Sequence, residues 1–462
     1  MDGLKKRATF YPNFFALRRT QNGSVKFNLV LLFVFSIFLL SNDETFKIAS
    51  MNASSIVAML MVLVFLLDGF GRGRFVLQRH SFQKPLLLLF LWALISLLIS
   101  KIDPSKAVPD ESYSYVWATG LNSPDWRGVS FLLRLFLSIF AINFIISNVN
   151  TEERYFKVIN YFIFAYFLLC SFVIIQIIFY GVFNIEVGHI LPSRFEGYFP
   201  VGGYVGESGT LAGMLVSGYF VLFMILKLHK YAGRMGFFLK LVFIMASVDL
   251  IFTFSAAWIT AVLLTFLIFV RKSVSKKNLF IGIALLIFAI SLSDVFREVV
   301  ILRGFAEIMS ASIRTYSWIA GLNIFRDYPI AGTGIGQSVF FMPTYLEMDI
   351  TNFLITSFNP ELYTGMRFPP MNTYIQWMAE TGFVGLLLLV RLIYCFIKYG
   401  KAFKKVEYYN LVKYGFGGGL LAVVIAMNAG PDNLYVGYIN FLVAMYISGI
   451  NLFSGNAKEG KY

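Results

Sequence analysis

Twelve apolar stretches run through this chain, at 25–41, 51–68, 82–100, 128–147, 157–180, 207–226, 239–254, 256–270, 279–296, 371–397, 412–428 and 433–453. About 20 apolar residues suffice to cross a hydrocarbon core roughly 30 Å thick. The pattern therefore predicts an all-α polytopic membrane protein of about twelve helices, forming a single integral membrane domain over residues 1–462. The seventh and eighth stretches are short and meet at Ser255, so either they form a tight hairpin or both tilt little in a locally thin region. Composition agrees, with 58% hydrophobic and only 14% charged residues. A soluble domain carries roughly 25% charged residues, so this chain lacks the polar groups to cover a water-facing surface. A soluble enzyme, a disordered scaffold and a disulfide framework are excluded; the two cysteines, Cys170 and Cys395, both lie inside apolar stretches.

The net charge of +14 could indicate nucleic acid, but its distribution says otherwise. With the N-terminus placed in the cytoplasm, the segments on that side hold 27 of the 39 Lys and Arg residues and the outside segments hold ten. Arg134 and Arg391 lie within apolar stretches and complete the set. This is the asymmetry of the positive-inside rule. It predicts cytoplasmic termini, a lipid bilayer as partner and no nucleic acid. The first stretch is not followed by a small-residue cleavage site, so it reads as an uncleaved helix rather than a signal peptide.

Three outside segments are long enough to carry chemistry: 101–127, 181–206 and 297–370. Loops of this length are more often functional than not. The last is the large late loop. It contains Gly332, Gly334 and Gly336, a spacing that suggests a nucleotide only when a strand precedes it and a helix follows. That context is missing, and a glycine-rich turn after a helix is the better reading. Residues 303–325 read as an amphipathic helix with Arg303, Glu307, Arg314 and Gly321 on one face and Ser310 and Ser317 close beside them. Ile319 and Ile324 point elsewhere, toward membrane or core, and Asp327-Tyr328-Pro329 ends the helix. In the second loop, Arg194 stands among aromatics and glycines, and Glu207 stands at the start of a helix, where the helix dipole favours an acid. Two guanidinium groups over a helix bundle suit phosphate oxygens, which arginine binds in a bidentate manner. A membrane-embedded protein meets exported phosphates chiefly as lipid-linked diphosphates.

Several charges lie inside apolar stretches and need partners. Asp249 and Glu380 are read either as cavity-lining groups that contact substrate or as members of structural ion pairs. Arg134 either belongs to the site or snorkels outward.

Three stretches carry a resemblance. They are Arg194-Phe-Glu-Gly-Tyr-Phe with Glu207-Ser-Gly, Arg314-Thr-Tyr-Ser-Trp318 followed by Tyr328-Pro-Ile-Ala-Gly-Thr-Gly-Ile-Gly336, and Asn372-Thr-Tyr-Ile-Gln-Trp-Met-Ala-Glu380-Thr-Gly-Phe-Val-Gly385. Together, in this order and outside, they resemble the O-antigen polymerase and ligase family of bacterial cell envelopes, the Wzy-type and WaaL-type membrane glycosyltransferases. The resemblance implies a GT-C-like fold in the bacterial inner membrane with periplasmic loops, and a substrate of oligosaccharide carried on undecaprenyl diphosphate. It implies no metal and no other cofactor, and a chain-length regulator as partner. It places the essential arginines in the outside loops, hence Arg194 and Arg314 as catalytic cations with Arg303 assisting; Glu207 is the candidate general base. Asn372 belongs to the pair that in the family usually reads His-Asn, and here Met371 stands in place of the histidine. That histidine is associated with ligase-type members, so the expectation is a polymerase, with a ligase or a flippase as alternatives. The family also often has Ser-Arg where this chain has Ser255-Ala256.

Overall fold

The computed structural model describes residues 25–39, 53–73, 80, 82–103, 124–190, 201–203, 208–228, 234–253, 255–270, 314–345, 369–402, 408, 410–429 and 437–453. Their helices are α1 (Val25–Leu39), α2 (Ala53–Gly71), α3 (Gln83–Ile102), α4 (Pro124–Asn148), α5 (Glu152–Phe183), α6 (Ser208–Leu228), α7 (Arg234–Phe252) and α8 (Ala256–Val270). There follow α9 (314–327), α10 (Ser338–Tyr345), α11 (Thr373–Ala402), a π-helical turn (Leu411–Phe416) that leads into α12 (Gly417–Ala426), and α13 (Gly437–Phe453). Seven of these are long and apolar enough to cross a membrane, and four shorter apolar ones are Val25–Phe38, Ala257–Ile268, Leu411–Ala426 and Gly437–Phe453. Eleven of the twelve expected crossings are thus helices; the stretch 279–296 lies outside the described residues. The protein is an all-α polytopic membrane protein. One small departure is a two-stranded antiparallel ladder, β1 (His189–Ile190) with β2 (Val201–Gly203).

Contacts between helix ends show the chain alternating across the bundle. At one end Lys26 of α1 pairs with Asp68 of α2 at 2.5 Å, and Arg72 joins the same carboxylate at 2.9 Å. Arg154 and Lys157 of α5 lie over the Phe27 ring, at 5.4 and 5.7 Å. His80 meets Asn143 of α4 at 2.8 Å, and Phe82 packs on Phe396 and Tyr399 of α11. At the opposite end Gly437 abuts Ile37 and Ser54, Trp258 meets the Tyr438 ring, and Asn372 bonds the backbone of Asn428. The first end is rich in Lys and Arg and is called the basic end; the second is the loop end.

Between helices already surrounded by lipid, association relies on close packing rather than on the hydrophobic effect. Small residues facing aromatic ones supply it here. Gly218 of α6 receives the Tyr166 ring, Gly213 receives Tyr438 and Trp258, and Gly417 receives Tyr446. Phe162 stacks on both Tyr166 and Phe441, tying α5 to α13.

Helix α11 is not the uninterrupted span that its apolar stretch predicts. Gly382 breaks it, with φ 69° and ψ −167°. A break frees backbone groups that must be paired when buried. The turn after α9 pairs them. The carbonyl of Ala379 accepts from the N–H of Thr333, and that of Glu380 from the N–H of Gly334, both at 2.9 Å. The carbonyl of Thr381 accepts from Trp92 Nε1 of α3 at 2.8 Å, and the N–H of Phe383 donates to the carbonyl of Pro329 at 2.8 Å. The Ser96 hydroxyl lies 2.8 Å from the Glu380 carbonyl and 2.7 Å from that of Ala331. Past Ser96, α3 continues six residues to Ile102, about 9 Å at 1.5 Å per residue. The turn is therefore sunk below the end of α3.

Candidate active site at the broken helix

Helices α9 and α11 run side by side in the same direction. The Ser317 hydroxyl accepts the N–H of Met371 at 3.0 Å, and Trp318 Nε1 donates to the Met371 carbonyl at 3.0 Å. One turn on, Gly321 lies against Pro370 and Ile375, where an added Cβ would come within 2.6 Å of Ile375. Further on, Ala320, Ile324 and Ala379 join Val339, Phe340, Phe341 and Met342 of α10 in a small separate core. The expected helix over 303–325 is present from 314 and ends at 327, next to the Tyr328-Pro329 stop; residues 303–313 lie outside the described ones. The face that carries Ser317 and Gly321 packs on α11. Ile324 is core, while Ile319 is exposed.

The loop between α9 and α10 shows why its glycines are there. Gly332, Gly334 and Gly336 all have positive φ, at 66°, 99° and 72°, a region that costs other residues roughly 1–2 kcal/mol. A Cβ on Gly332 would collide with the backbone of Glu380. Gly336 is held at both of its backbone groups. Its N–H donates to Glu380 Oε2 at 2.9 Å, and its carbonyl accepts from Arg127 Nε of α4 at 3.0 Å. The other Glu380 oxygen accepts from the Ser338 hydroxyl at 2.7 Å and from Gln376 Nε2 at 3.2 Å. Glu380 is 1% exposed and Arg127 likewise 1%. A carboxylate so deeply buried is tolerable because donors surround it, and its position at the start of α10 suits the helix dipole.

The predicted site residues divide as follows. Arg314 begins the described part of α9 and is half-buried; its carbonyl accepts from Ser317 at 2.7 Å. Asn372 is buried and caps α11: its Oδ1 accepts from the N–H groups of Tyr374 and Ile375, at 2.9 and 3.1 Å. Arg314, Asn372 and Glu380 thus belong to one module. Arg134 is half-buried on α4, 5.7 Å from the Phe131 ring, which Arg127 approaches at 4.8 Å from the neighbouring turn. Phe131 in turn touches Gly336, so α4 borders the module. Asp249 is elsewhere, fully buried on α7 beside the Cys170 thiol of α5, and among the described residues its carboxylate accepts no hydrogen bond from an N–H or O–H group. Arg194, Glu207 and Arg303 lie outside the described residues. The base of the Arg194 loop is described: Gln176 of α5 accepts the Gly203 N–H at 3.1 Å beside the β1–β2 ladder.

Arg127 and Gly382 are the residues that the sequence reading missed. Arg127 counts there only as one of ten outside charges, and Gly382 is absorbed into an apolar stretch. A glycine within a helical pattern, two residues after an acid in an apolar stretch, was the available signal.

The first amides of α11 are engaged within the chain: Tyr374 and Ile375 donate to Asn372 Oδ1, and Gln376 to the Asn372 carbonyl. At the other end of α9, Tyr345 donates to Asp327 at 2.7 Å, and burial followed by that bond pushes its phenol well above the ordinary range. The phenol therefore remains a donor. Among the described residues no cluster of His, Cys, Asp and Glu could hold a metal.

Asn372→Ala should lower stability by about 1–2 kcal/mol, the usual loss of an N-cap, seen as an earlier unfolding transition in detergent. Asn372→Asp keeps the accepting oxygen and should recover most of it. An Ala variant of normal stability and reduced activity would instead make Asn372 a substrate contact.

A bundle of apolar helices, with α11 broken at Gly382 and its freed backbone groups paired by the glycine loop that follows α9, defines a polytopic membrane protein. Residues 241–390 match the family described as O-Antigen ligase. The match supports the O-antigen polymerase and ligase family over about a third of the chain and does not separate polymerases from ligases. No curated protein matches the chain. The matched span holds Asp249, Arg303, Arg314, the glycine loop, Asn372, Glu380 and Gly382, and leaves out Arg127, Arg134, Arg194 and Glu207.

Proposed function

We propose that the protein is a polymerase that joins oligosaccharide repeat units carried on undecaprenyl diphosphate, at the periplasmic face of the bacterial inner membrane. The observation that carries the reading is the family match over the module that presents Arg314. A terminal sugar hydroxyl of one repeat attacks the anomeric carbon of the glycan on another carrier. The new C–O bond forms as the bond to the diphosphate breaks; the diphosphate leaves with the electron pair, and the hydroxyl proton passes to a base, for which Glu207 is the candidate. Negative charge grows on the departing diphosphate, and fixed cations in a water-poor site are the efficient stabilisers. Arg314 and Arg194 fill that role, with Arg303, Arg134 and Asn372 as further residues proposed to line the substrate site; the Glu380 oxygens are taken by Gly336, Ser338 and Gln376, and Asp249 lies apart on α7. Met371 favours a polymerase over a ligase, because a thioether can neither donate nor carry the proton that a histidine would.

The test is the set of saccharides that accumulates in a strain lacking the protein. Single repeats on the lipid carrier are expected. Full-length polymer on the lipid carrier, unattached to lipid A core, would make the protein a ligase, and an accumulation confined to the cytoplasmic leaflet would make it a flippase.

Sidedness has its own test. Cysteine at Glu186 or Thr344, both exposed at the loop end, should react with a membrane-impermeant reagent in cells with an opened outer membrane. Cysteine at Glu153 or Lys227, both exposed at the basic end, should not. Labelling in the reverse pattern would invert the topology and move the site to the cytoplasm.

A further inference from the structure

Gly336 is gripped from two sides by ionisable side chains that are almost completely buried and come from different helices. Arg127 of α4 takes its carbonyl at 3.0 Å, and Glu380 of α11 takes its N–H at 2.9 Å. Neither side chain lies on the α9–α10 hairpin, yet both act on it. The hairpin joins α11 along its whole described length, from Ser317 against Met371 to Gly332 against Glu380. It meets α4 in the Gly336 region, through the Arg127 bond, the Phe131 ring at 3.2 Å from a Cβ placed on Gly336, and Gly128, which leaves room for Gln337 and Ile335. Arg314 stands at the start of described α9, whose Ala320 and Ile324 share a core with α10 and with Ala379 of α11.

We propose that Arg127 and Glu380 are positioning residues that clamp Gly336 and so fix the register of α9 on α11, which in turn sets where the Arg314 guanidinium stands. The inference rests on the proposed role of Arg314 and adds a specific mechanical cause for its placement. A displacement of about 1 Å at a charge-stabilising group can cost on the order of 10²-fold in rate. Loosening the clamp should therefore lower kcat with little change in KM, because the carrier still binds while the transition state is less well met. Arg127 and Glu380 hold one residue between them, so their substitutions should be non-additive.

The experiment uses the full-length protein in detergent or liposomes with lipid-linked repeats. Arg127→Gln and Glu380→Gln, separately and together, should lower kcat about 10- to 100-fold while KM stays within about threefold; the double variant should be scarcely worse than either single one. Arg127→Lys keeps the charge but misplaces the donor, and should recover only part. Register is read independently of activity. Ser317→Cys with Met371→Cys, in a chain with Cys395 replaced by alanine, should be joined by a short thiol cross-linker, and each clamp variant should reduce the yield. If the Gln variants do not accumulate, Ser338→Ala, which removes a single donor to Glu380, decides in their place.

Full kcat, or unchanged cross-linking in variants whose kcat has fallen, overturns the proposal. So do additive losses. A wild-type protein that transfers no glycan would instead defeat the proposed function, and the cross-link yield would still show whether the clamp holds the register.

Discussion

Gly382→Val should leave little folded protein in the membrane, and Gly382→Ala should be markedly unstable. The backbone at Gly382 has φ 69°, and a left-handed conformation costs a residue with a Cβ roughly 1–2 kcal/mol. The Cβ would also drive into the carbonyl of Ile330, a backbone atom that cannot swing aside. Overpacking of this kind adds about 1–3 kcal/mol. Straightening α11 to escape the clash is no remedy. The N–H groups of Thr333 and Gly334 and the carbonyl of Pro329 would lose their partners at Ala379, Glu380 and Phe383, and each stranded buried group costs about 1–3 kcal/mol. Together these exceed a large part of the 5–15 kcal/mol by which a folded domain is typically stable. The measurements are membrane accumulation and the unfolding transition in detergent, beside Gly71→Ala as control; a Cβ there meets nothing within 4 Å. An alanine variant as stable as that control would mean that the break is dispensable.

The helices were legible because lipid makes their rule simple. Each stretch must be long, apolar and internally hydrogen-bonded, and eleven stretches read that way are helices here. The break at Gly382 was not legible because a long apolar stretch looks the same whether or not a loop has been threaded through it. Only long-range bonds, such as Thr333 to Ala379 and Trp92 to Thr381, distinguish the two cases. The glycine spacing at 332, 334 and 336 did indicate a turn, while its partner could not be read from the spacing. Arg127 illustrates the same limit. An arginine just inside the first turn of α4 counts like any outside charge until the structure shows it 1% exposed and bonded to Gly336. Glu380 was read as an acid that needs a partner, and its carboxylate accepts from the Gly336 N–H, the Ser338 hydroxyl and the Gln376 amide, partners the sequence spacing does not single out.

On the proposed function, Arg314→Ala should reduce polymerisation by about 10²- to 10³-fold, the usual scale for a group that meets charge developing in the transition state. Arg314→Lys should recover only a small part, because a point charge cannot reproduce the planar two-pronged contact to diphosphate oxygens. Neither variant should lose much protein. The side chain is half-buried at the start of α9 and outside the small core of Ala320, Ile324 and Ala379, and the bond to Ser317 uses the Arg314 carbonyl, which any residue supplies. Arg326 gives the internal comparison. It lies on the same helix, 74% exposed and 3.4 Å from the Asp327 carboxylate, and surface pairs of this sort contribute about 0–1 kcal/mol. Arg326→Ala should therefore leave polymer length nearly normal. The assay is the polymer ladder together with protein level in membranes. Full recovery by lysine would reduce the role of Arg314 to charge alone. Equal tolerance of alanine at 314 and 326 would put α9 outside the chemistry, and the diphosphate would then have to be held by the Arg194 loop, whose base Gln176 ties to α5.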